Sequence, residues 1–296
     1  MSAQQPSDQP GAASSTETDT ETDTETDTET DTETDTETGT GTDTETDSEL
    51  ATRLATGAGE LLLALRRDWA ATGDASGLKD AGDRAAHEYL MAALARDRPT
   101  DAVLSEEGAD SPARLSAGRV WIVDPLDGTR EYGDGRGDWA VHVALWCREP
   151  SGSTGRLTAG AVALPVAGVT LTDDPPVDLT ARAPRPPVVV VSRSRPPREA
   201  AAVVTALGGE QVTLGSAGAK VAAVLRGEAD VYVHSGGQHE WDSAAPVAVA
   251  LAAGLHASRL DGSPLLYNRR DTFVPDLLVC RNELAGPVLA ALAQAD

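Results

Sequence analysis

The chain has 296 residues, with 47 acidic and 24 basic side chains and a formal net charge of −23. Residues 1 to 49 hold 16 Asp or Glu and no Lys or Arg, so the other 247 carry 31 acids against 24 bases. A body of that size supports one large or two modest domains with a real core, its acidity has the wrong sign for a phosphate-backbone partner, and no 18-residue apolar run marks a membrane span.

From Thr16 to Asp47 the sequence alternates Thr with Asp or Glu almost without interruption. Such a segment cannot bury apolar surface, and its like charges repel, so residues 1–48 are expected to be a disordered acidic tail. Leu50, Leu54, Ala58, Leu61, Leu62 and Leu65 then recur at helical spacing and predict a helix over Glu49 to Asp68. A polar, Gly-containing connection covers Asp74 to Lys79, and a second helix is expected from about Asp83 to Asp97. Short β-rich runs follow at Ala102 to Leu104 and Arg119 to Val123. Trp139, Val141, Val143 and Leu145 alternate onto one face of a strand, and Leu157 to Leu164 with Val166 to Leu171 reads as a hairpin.

The Pro-rich stretch Asp173 to Pro187 is the expected boundary between an α+β lobe, residues 49–180, and an α/β lobe, residues 181–296. In the second lobe strands are expected at Val188 to Val191, Val231 to His234 and Leu277 to Cys280. Helices are expected at Pro197 to Leu207, Ser216 to Arg226, Asp242 to Ala253 and Pro287 to Ala293. Alternation of this kind indicates layered α/β architecture. The N-terminus lacks the basic-then-apolar pattern of a signal peptide. Cys147 and Cys280 sit singly in apolar runs, as buried thiols of a cytoplasmic protein do.

The sharpest local pattern is Trp121-Ile122-Val123-Asp124-Pro125-Leu126-Asp127-Gly128-Thr129. An apolar strand ends in an acid, and Pro125 is expected to stop its ladder. Carboxylates three positions apart across such a turn converge, and two bare ones would repel and raise a pKa. A hard divalent cation with oxygen ligands removes the conflict, and magnesium suits it. Gly128 permits close backbone approach, and amides beyond it can hold phosphate oxygens. Glu106 follows another strand end, where adjacent acids are often only a solvated loop. Asp242 reads equally as a helix N-cap, and Asp83 as a cap for the helix after it.

Taken together, Leu104-Ser105-Glu106-Glu107, the Asp124 to Thr129 segment and Trp241-Asp242-Ser243-Ala244-Ala245 resemble the inositol monophosphatase superfamily. Asp83 to His87, Gly215 to Lys220, Val191 to Ser194 and His256 to Pro264 are most similar to its CysQ-type 3′(2′),5′-bisphosphate nucleotidases, particularly actinobacterial ones. The resemblance implies an α/β/α/β/α sandwich and two or three Mg²⁺ per active site. It also implies lithium sensitivity and removal of the 3′-phosphate of adenosine 3′,5′-bisphosphate, or its sulfated form, in sulfate assimilation. It would assign Glu106, Asp124, Asp127, Asp242 and the Leu126 carbonyl to the metals, with Asp83 near a third. Thr129, Glu106 and Asp83 would handle the attacking water. Candidate substrate contacts are Leu126, Asp127, Gly128, Thr129, Ser216, Lys220, Arg193 and Asp242. Ala81 departs from the family's usual Thr there and weakens expected support for Asp83.

Other phosphate chemistries fit less well. A haloacid-dehalogenase motif needs its acids two apart, and Asp124 and Asp127 are three apart. Gly215 to Lys220 lacks the spacing of a phosphate-binding Walker loop. Lys79 and Lys220 are the only lysines beside 22 arginines, so Lys220 is a candidate for a second phosphate, against a surface lysine covering apolar area. Arg193 is a further candidate. His142 is expected to pack in its strand, and His234 and His239 to flank the pocket. Trp121, Trp139 and Trp146 are expected in the core. The partner is then a small phosphorylated molecule, without nucleic acid or membrane, and a homodimer is compatible. Inositol-1-phosphate or fructose-1,6-bisphosphate phosphatase activity is the alternative within enzymes, and a non-catalytic acidic metal- or partner-binding protein the alternative outside them.

Overall fold

The computed structural model describes residues 45–71, 77–150, 152, 154–179 and 185–295. The expectation of a disordered tail falls on residues 1–44, outside the described residues. At residues 45–48 the expectation is corrected: helix α1 spans Asp47–Ala70, capped by the Thr46 hydroxyl, which accepts the Glu49 N–H at 3.2 Å. Glu49 closes the reciprocal half of the box, accepting the Thr46 N–H at 2.8 Å. Helix α2 spans Leu78–Asp97, so the expected connection to Lys79 ends earlier, at Gly77 (φ 74°).

Two sheets follow in chain order. The first has the order β1-β2-β3-β4-β5, with β1 Ala102–Ser105, β2 Arg119–Asp127, β3 Ala140–Arg148, β4 Gly155–Leu164 and β5 Val169–Thr172. Strands β1 and β2 are parallel, and the rest form an antiparallel meander. A short helix α3, Thr129–Gly133, follows β2. The second sheet, β7-β6-β8-β10-β9, comprises β6 Val188–Ser192, β7 Glu210–Leu214, β8 Val231–His239, β9 His256–Ser258 and β10 Phe273–Cys280. Helices α4 Ala200–Leu207, α5 Ala217–Leu225, α6 Glu240–Ala252 and α7 Ala285–Leu292 complete it.

Alternation along the strands builds the layers. Trp121, Val123, Val141, Val143 and Leu145 pack on α1 and α2, whereas Val120, Ile122, Ala144 and Trp146 face the other way. That second face meets α5 and α6, whose far sides pack on Val190, Tyr232, Leu277 and Val279 of the second sheet. Val189, Val191, Val231 and Val233 point outward to α4 and α7. The result is the expected α/β/α/β/α sandwich, with α5 and α6 as its central layer. Gly160 on β4 permits this approach, since a Cβ there would stand 2.6 Å from that of Ala248 on α6.

Cys280 is buried, but Cys147 is only half-buried and accepts the Thr158 hydroxyl at 3.2 Å. Among the described residues no helix is long and apolar enough to cross a membrane. Strands β7 and β9 lack sequence expectations because one is mostly exposed and the other has three residues.

The start of α1 gives a test of where the folded body begins. Asp47 also pairs with Arg98 at 3.0 Å and Arg119 at 2.9 Å. Removing residues 1–44 keeps this cap, while removing 1–48 deletes Thr46 and Asp47. The longer deletion is expected to cost about 1 kcal/mol more, read in differential scanning calorimetry as a melting temperature lower by about 2–4 °C. Equal melting temperatures would contradict the assigned cap.

Candidate active site

Strand β2 does not stop at Pro125, contrary to the sequence expectation. Its ladder with β3 runs from Asp124 opposite His142 to Asp127 opposite Ala140, so three steps on β2 match two on β3. Pro125 therefore sits in a β-bulge, where a missing N–H costs no ladder bond. The Asp124 carboxylate accepts the Leu126 N–H at 3.0 Å and fixes the bulge. Asp124 and Asp127 are both buried.

Oxygens of Asp124, Asp127 and Asp242 lie within 4.8 Å of one another. Glu106 arrives from the end of β1, its N–H donating to the Val123 carbonyl at 3.4 Å. Glu106 is exposed, yet the neighbouring protein desolvates its carboxyl in part and the charges of Asp242, Asp127 and Glu107 face it, which together push its pKa up to about 7. Its hydrogen bond with Asp124 pulls the other way. Burial, then Glu106, Asp127 and Asp242, hold the Asp124 carboxyl well above the usual carboxylate range. Burial and Asp127 raise Asp242 as well.

Asp127 is the exception. Burial opposes its charge, but His142, Lys220 and the Gly218 amide hold its pKa below the ordinary value. Its two oxygens accept the amides of Ala217 at 3.2 Å and Gly218 at 2.6 Å at the start of α5, where helix N–H groups favour an anion. His142 Nε2 lies 3.2 Å from Asp127, and its Nδ1 meets the Trp241 carbonyl at 3.1 Å. His142 is packed within its strand as expected, yet it also faces the acids. Gly218 makes the convergence feasible: a Cβ there would stand 2.2 Å from His142 Nε2.

The two cap readings are corrected. Asp83 lies inside α2, and its Oδ1 accepts the Thr129 hydroxyl at 3.0 Å. Burial, against that hydrogen bond, pushes its pKa up to about 6. Thr129 also lies 3.2 Å from the Leu126 carbonyl; no bond from Thr129 to Glu106 is present among the described residues. Asp242 is the third residue of α6 and reaches back to accept the His239 N–H at 2.6 Å.

Gly128 (φ 91°) turns the chain from β2 into α3, and a Cβ there would meet Ser216 at 3.0 Å. Ser216 caps α5, accepting the Ala219 amide at 3.0 Å. Lys220 is only 3% exposed, which excludes a surface lysine. Its Nζ donates to the carbonyls of Gly215 at 2.5 Å and Ser216 at 2.6 Å and lies 5.2 Å from the centre of the Tyr232 ring. Burial lowers its pKa to about 8 against the pull of Asp127, Glu131, Asp242 and Asp138. Arg193 is not brought to the cavity. It pairs with Asp138 and, at 3.2 Å, with Glu131, leaving exposed Arg195 and Arg130 on the cavity wall instead.

That cavity, about 700 Å³, joins Glu106, Asp127 and Asp242 to Lys220, Tyr232, His234 and His239. The Tyr232 hydroxyl, His234 Nδ1 and Gln238 Nε2 are buried there without protein hydrogen-bond partners. Trp121, Trp139 and Trp146 are in the core as expected.

Sequence reading missed the brace behind Asp242. Glu240 accepts the amides of Asn268 at 2.6 Å and Arg269 at 2.7 Å. Asn268 is the one described non-glycine residue in the left-handed region (φ 57°). Its Oδ1 accepts from buried Arg114 at 2.7 Å, and Arg114 is paired with Asp110. The chain therefore ties the segment following Glu106 to the start of α6. An Asn, a residue type that tolerates the left-handed region, and an acid at a helix start were the available signals, but their pairing is long-range.

A model of the inositol monophosphatase family matches residues 43–295. The chain belongs to that family. It is 50% identical over 246 residues to the 3′-phosphoadenosine 5′-phosphate phosphatase of Mycobacterium leprae (strain TN), covering 81% of this chain and 90% of that one. The 3′(2′),5′-bisphosphate nucleotidase CysQ of Escherichia coli (strain K12) is 36% identical over 207 residues, covering 66% and 81%. The crystal structure of CysQ from Bacteroides thetaiotaomicron is similar at a TM-score of 0.67 and 28% identity, covering 80% of this chain and 97% of that one.

The all-oxygen donor set, with buried carboxyls forced toward their neutral forms, fits a hard divalent cation. Without one, folding raises the pKa of Asp83, Glu106, Asp124 and Asp242 above unfolded values. The contribution of Asp83 and Glu106 is fully present below about pH 4, near the unfolded carboxylate pKa, and is lost as pH rises through about 6 for Asp83 and about 7 for Glu106, with Asp124 and Asp242 acting in the same direction. Metal-free protein is thus expected to melt at lower temperature as pH rises from 5 to 8, and saturating divalent cation to flatten that dependence. A metal-free melting profile rising over this window would contradict the crowded-acid arrangement.

Proposed function

We propose that this protein is a Mg²⁺-dependent phosphomonoesterase that removes the 3′-phosphate of adenosine 3′,5′-bisphosphate, giving AMP and phosphate. The observation carrying this is the convergence of Asp124, Asp127 and Asp242 on one point beside the Thr129–Asp83 pair, in a cavity that also holds buried Lys220. The mycobacterial and CysQ relatives, named for that reaction, favour the nucleotide over other phosphate esters.

Asp124, Asp127 and Asp242, with Glu106 and the Leu126 carbonyl, are assigned to hold the metal. Two or three bound Mg²⁺ ions would neutralise phosphoryl oxygens, acidify water and stabilise the leaving oxygen. Thr129 Oγ1 is assigned to receive a proton from the attacking water while passing its own to Asp83 Oδ1, 3.0 Å away. Asp83, with a pKa near 6, is suited to exchange a proton near neutral pH. The water oxygen bonds to phosphorus, the ester P–O bond breaks, and the ribose 3′-oxygen takes up a proton from solvent or from an acid of the site. Positioning and electrostatics supply most of the catalysis.

Lys220 and Arg195, with the Tyr232 hydroxyl, are assigned to the 5′-phosphate. Arg195 replaces the sequence candidate Arg193, whose guanidinium is engaged by Asp138 and Glu131. Ser216 supports the same wall through its cap on α5. The acidic body and confined cavity favour a small phosphorylated molecule over nucleic acid or a membrane, and the reading places the enzyme in the cytoplasm in sulfur assimilation. A homodimer is compatible with it.

Phosphate release from adenosine 3′,5′-bisphosphate, inositol 1-phosphate and fructose 1,6-bisphosphate, with and without Mg²⁺, tests this reading. The nucleotide is expected to be the best substrate, only with Mg²⁺. Asp127→Asn is expected to lose about 10²-fold or more in turnover. Metal-independent turnover, or an unimpaired Asp127→Asn variant, would contradict the proposed site.

A further inference from the structure

Apart from its acids and bases, the cavity has an aromatic wall. Phe273, the only phenylalanine in the chain, lines the cavity and yet is 51% exposed. A large apolar side chain left open inside a concave polar site is placed to meet a ligand.

The ring is fixed from several sides. On the β8–β10 ladder Phe273 stands opposite His239, and the two rings meet edge-to-face with centroids 6.2 Å apart and planes at 78°. His239 stacks on Trp241 at 4.7 Å and 13°, and its Nδ1 lies 3.0 Å from the Thr272 hydroxyl. Beneath Phe273 is Gly237 (φ 88°), where a Cβ would come within 2.4 Å of a ring carbon. Glycine at this point in β8 is what admits the ring. The wall begins at Trp241, adjacent in sequence to Asp242, and so extends outward from the carboxylate cluster.

We infer that Phe273, braced by His239 and Trp241, is the stacking platform for the substrate's nucleobase and determines preference for nucleotides over base-free phosphate esters. The inference rests on the bisphosphate nucleotidase reading above and adds the group that recognises the base. Every nucleobase presents a π face, so such a platform selects for the presence of a base more than for its identity. Sugar and inositol phosphates have no flat aromatic surface to offer it. With one phosphate at the carboxylates and another at Lys220 and Arg195, the aromatic wall takes the remaining part of the nucleotide. Its edge-to-face contact with His239 and the close approach of Gly237 limit ring motion, so little ordering is required when a base binds.

Steady-state kinetics with Mg²⁺ on wild type, Phe273→Ala and Phe273→Leu test it, using adenosine 3′,5′-bisphosphate, inositol 1-phosphate and fructose 1,6-bisphosphate. For Phe273→Ala the KM for the nucleotide is expected to rise about 10-fold, well beyond any rise for the two base-free substrates. Phe273→Leu, which keeps apolar bulk without a π face, is expected to fall between. Equal losses on all three substrates, or an unchanged KM for the nucleotide, would overturn the platform while leaving the nucleotidase reading intact. A wild-type enzyme with no preference for the nucleotide would overturn both. Melting curves of the variants guard against misfolding, and a folded Phe273→Leu variant suffices for the comparison.

Discussion

The crowding of Asp124, Asp127, Asp242 and Glu106 is the constraint on which the rest depends. Placing several carboxylates together out of water is unfavourable, and the metal-free protein answers it by protonation: Asp124 and Glu106 hydrogen-bond, and the pKa of each is raised. A divalent cation removes the same conflict without protons. Affinity for the cation and instability of the uncompensated site are therefore two aspects of one arrangement.

The sandwich makes this crowding mechanically possible. The first sheet supplies Glu106, Asp124 and Asp127 from the ends of adjacent parallel strands β1 and β2. The central layer supplies the start of α6 with Asp242 and the start of α5, whose amides grip Asp127. His142 bridges the two layers by meeting both Asp127 and the Trp241 carbonyl. The Glu240–Asn268–Arg114 chain fixes the other side of α6. Small residues set the spacing, with Gly128, Gly160 and Gly218 each at a contact that a Cβ would obstruct.

Much of the layering was legible in the sequence because period-two alternation decides which face of a buried strand meets which helix. Trp139, Val141, Val143 and Leu145 fall on the predicted common face. The acidic segment after Trp121 was legible as well, although the chain absorbs Pro125 in a bulge and continues the strand. Facts about partners were less accessible. Nothing in Val191 to Arg195 says that Arg193 will be captured by Glu131 and Asp138 while Arg195 stays on the cavity wall. Likewise, the local sequence around Asp83 allows a cap, and only the approach of Thr129 makes it half of a hydrogen-bonded pair. Such choices depend on contacts distant in sequence.

Calorimetric titration of Mg²⁺ into metal-free protein near pH 6.5, repeated in buffers of different ionisation enthalpy, measures the protons displaced by the cation and tests the central claim most directly. If buried carboxyls carry protons that metal replaces, binding should release protons at this pH, and the number released should decline by pH 8.5. Binding with no proton release at either pH would contradict the crowded-carboxylate account.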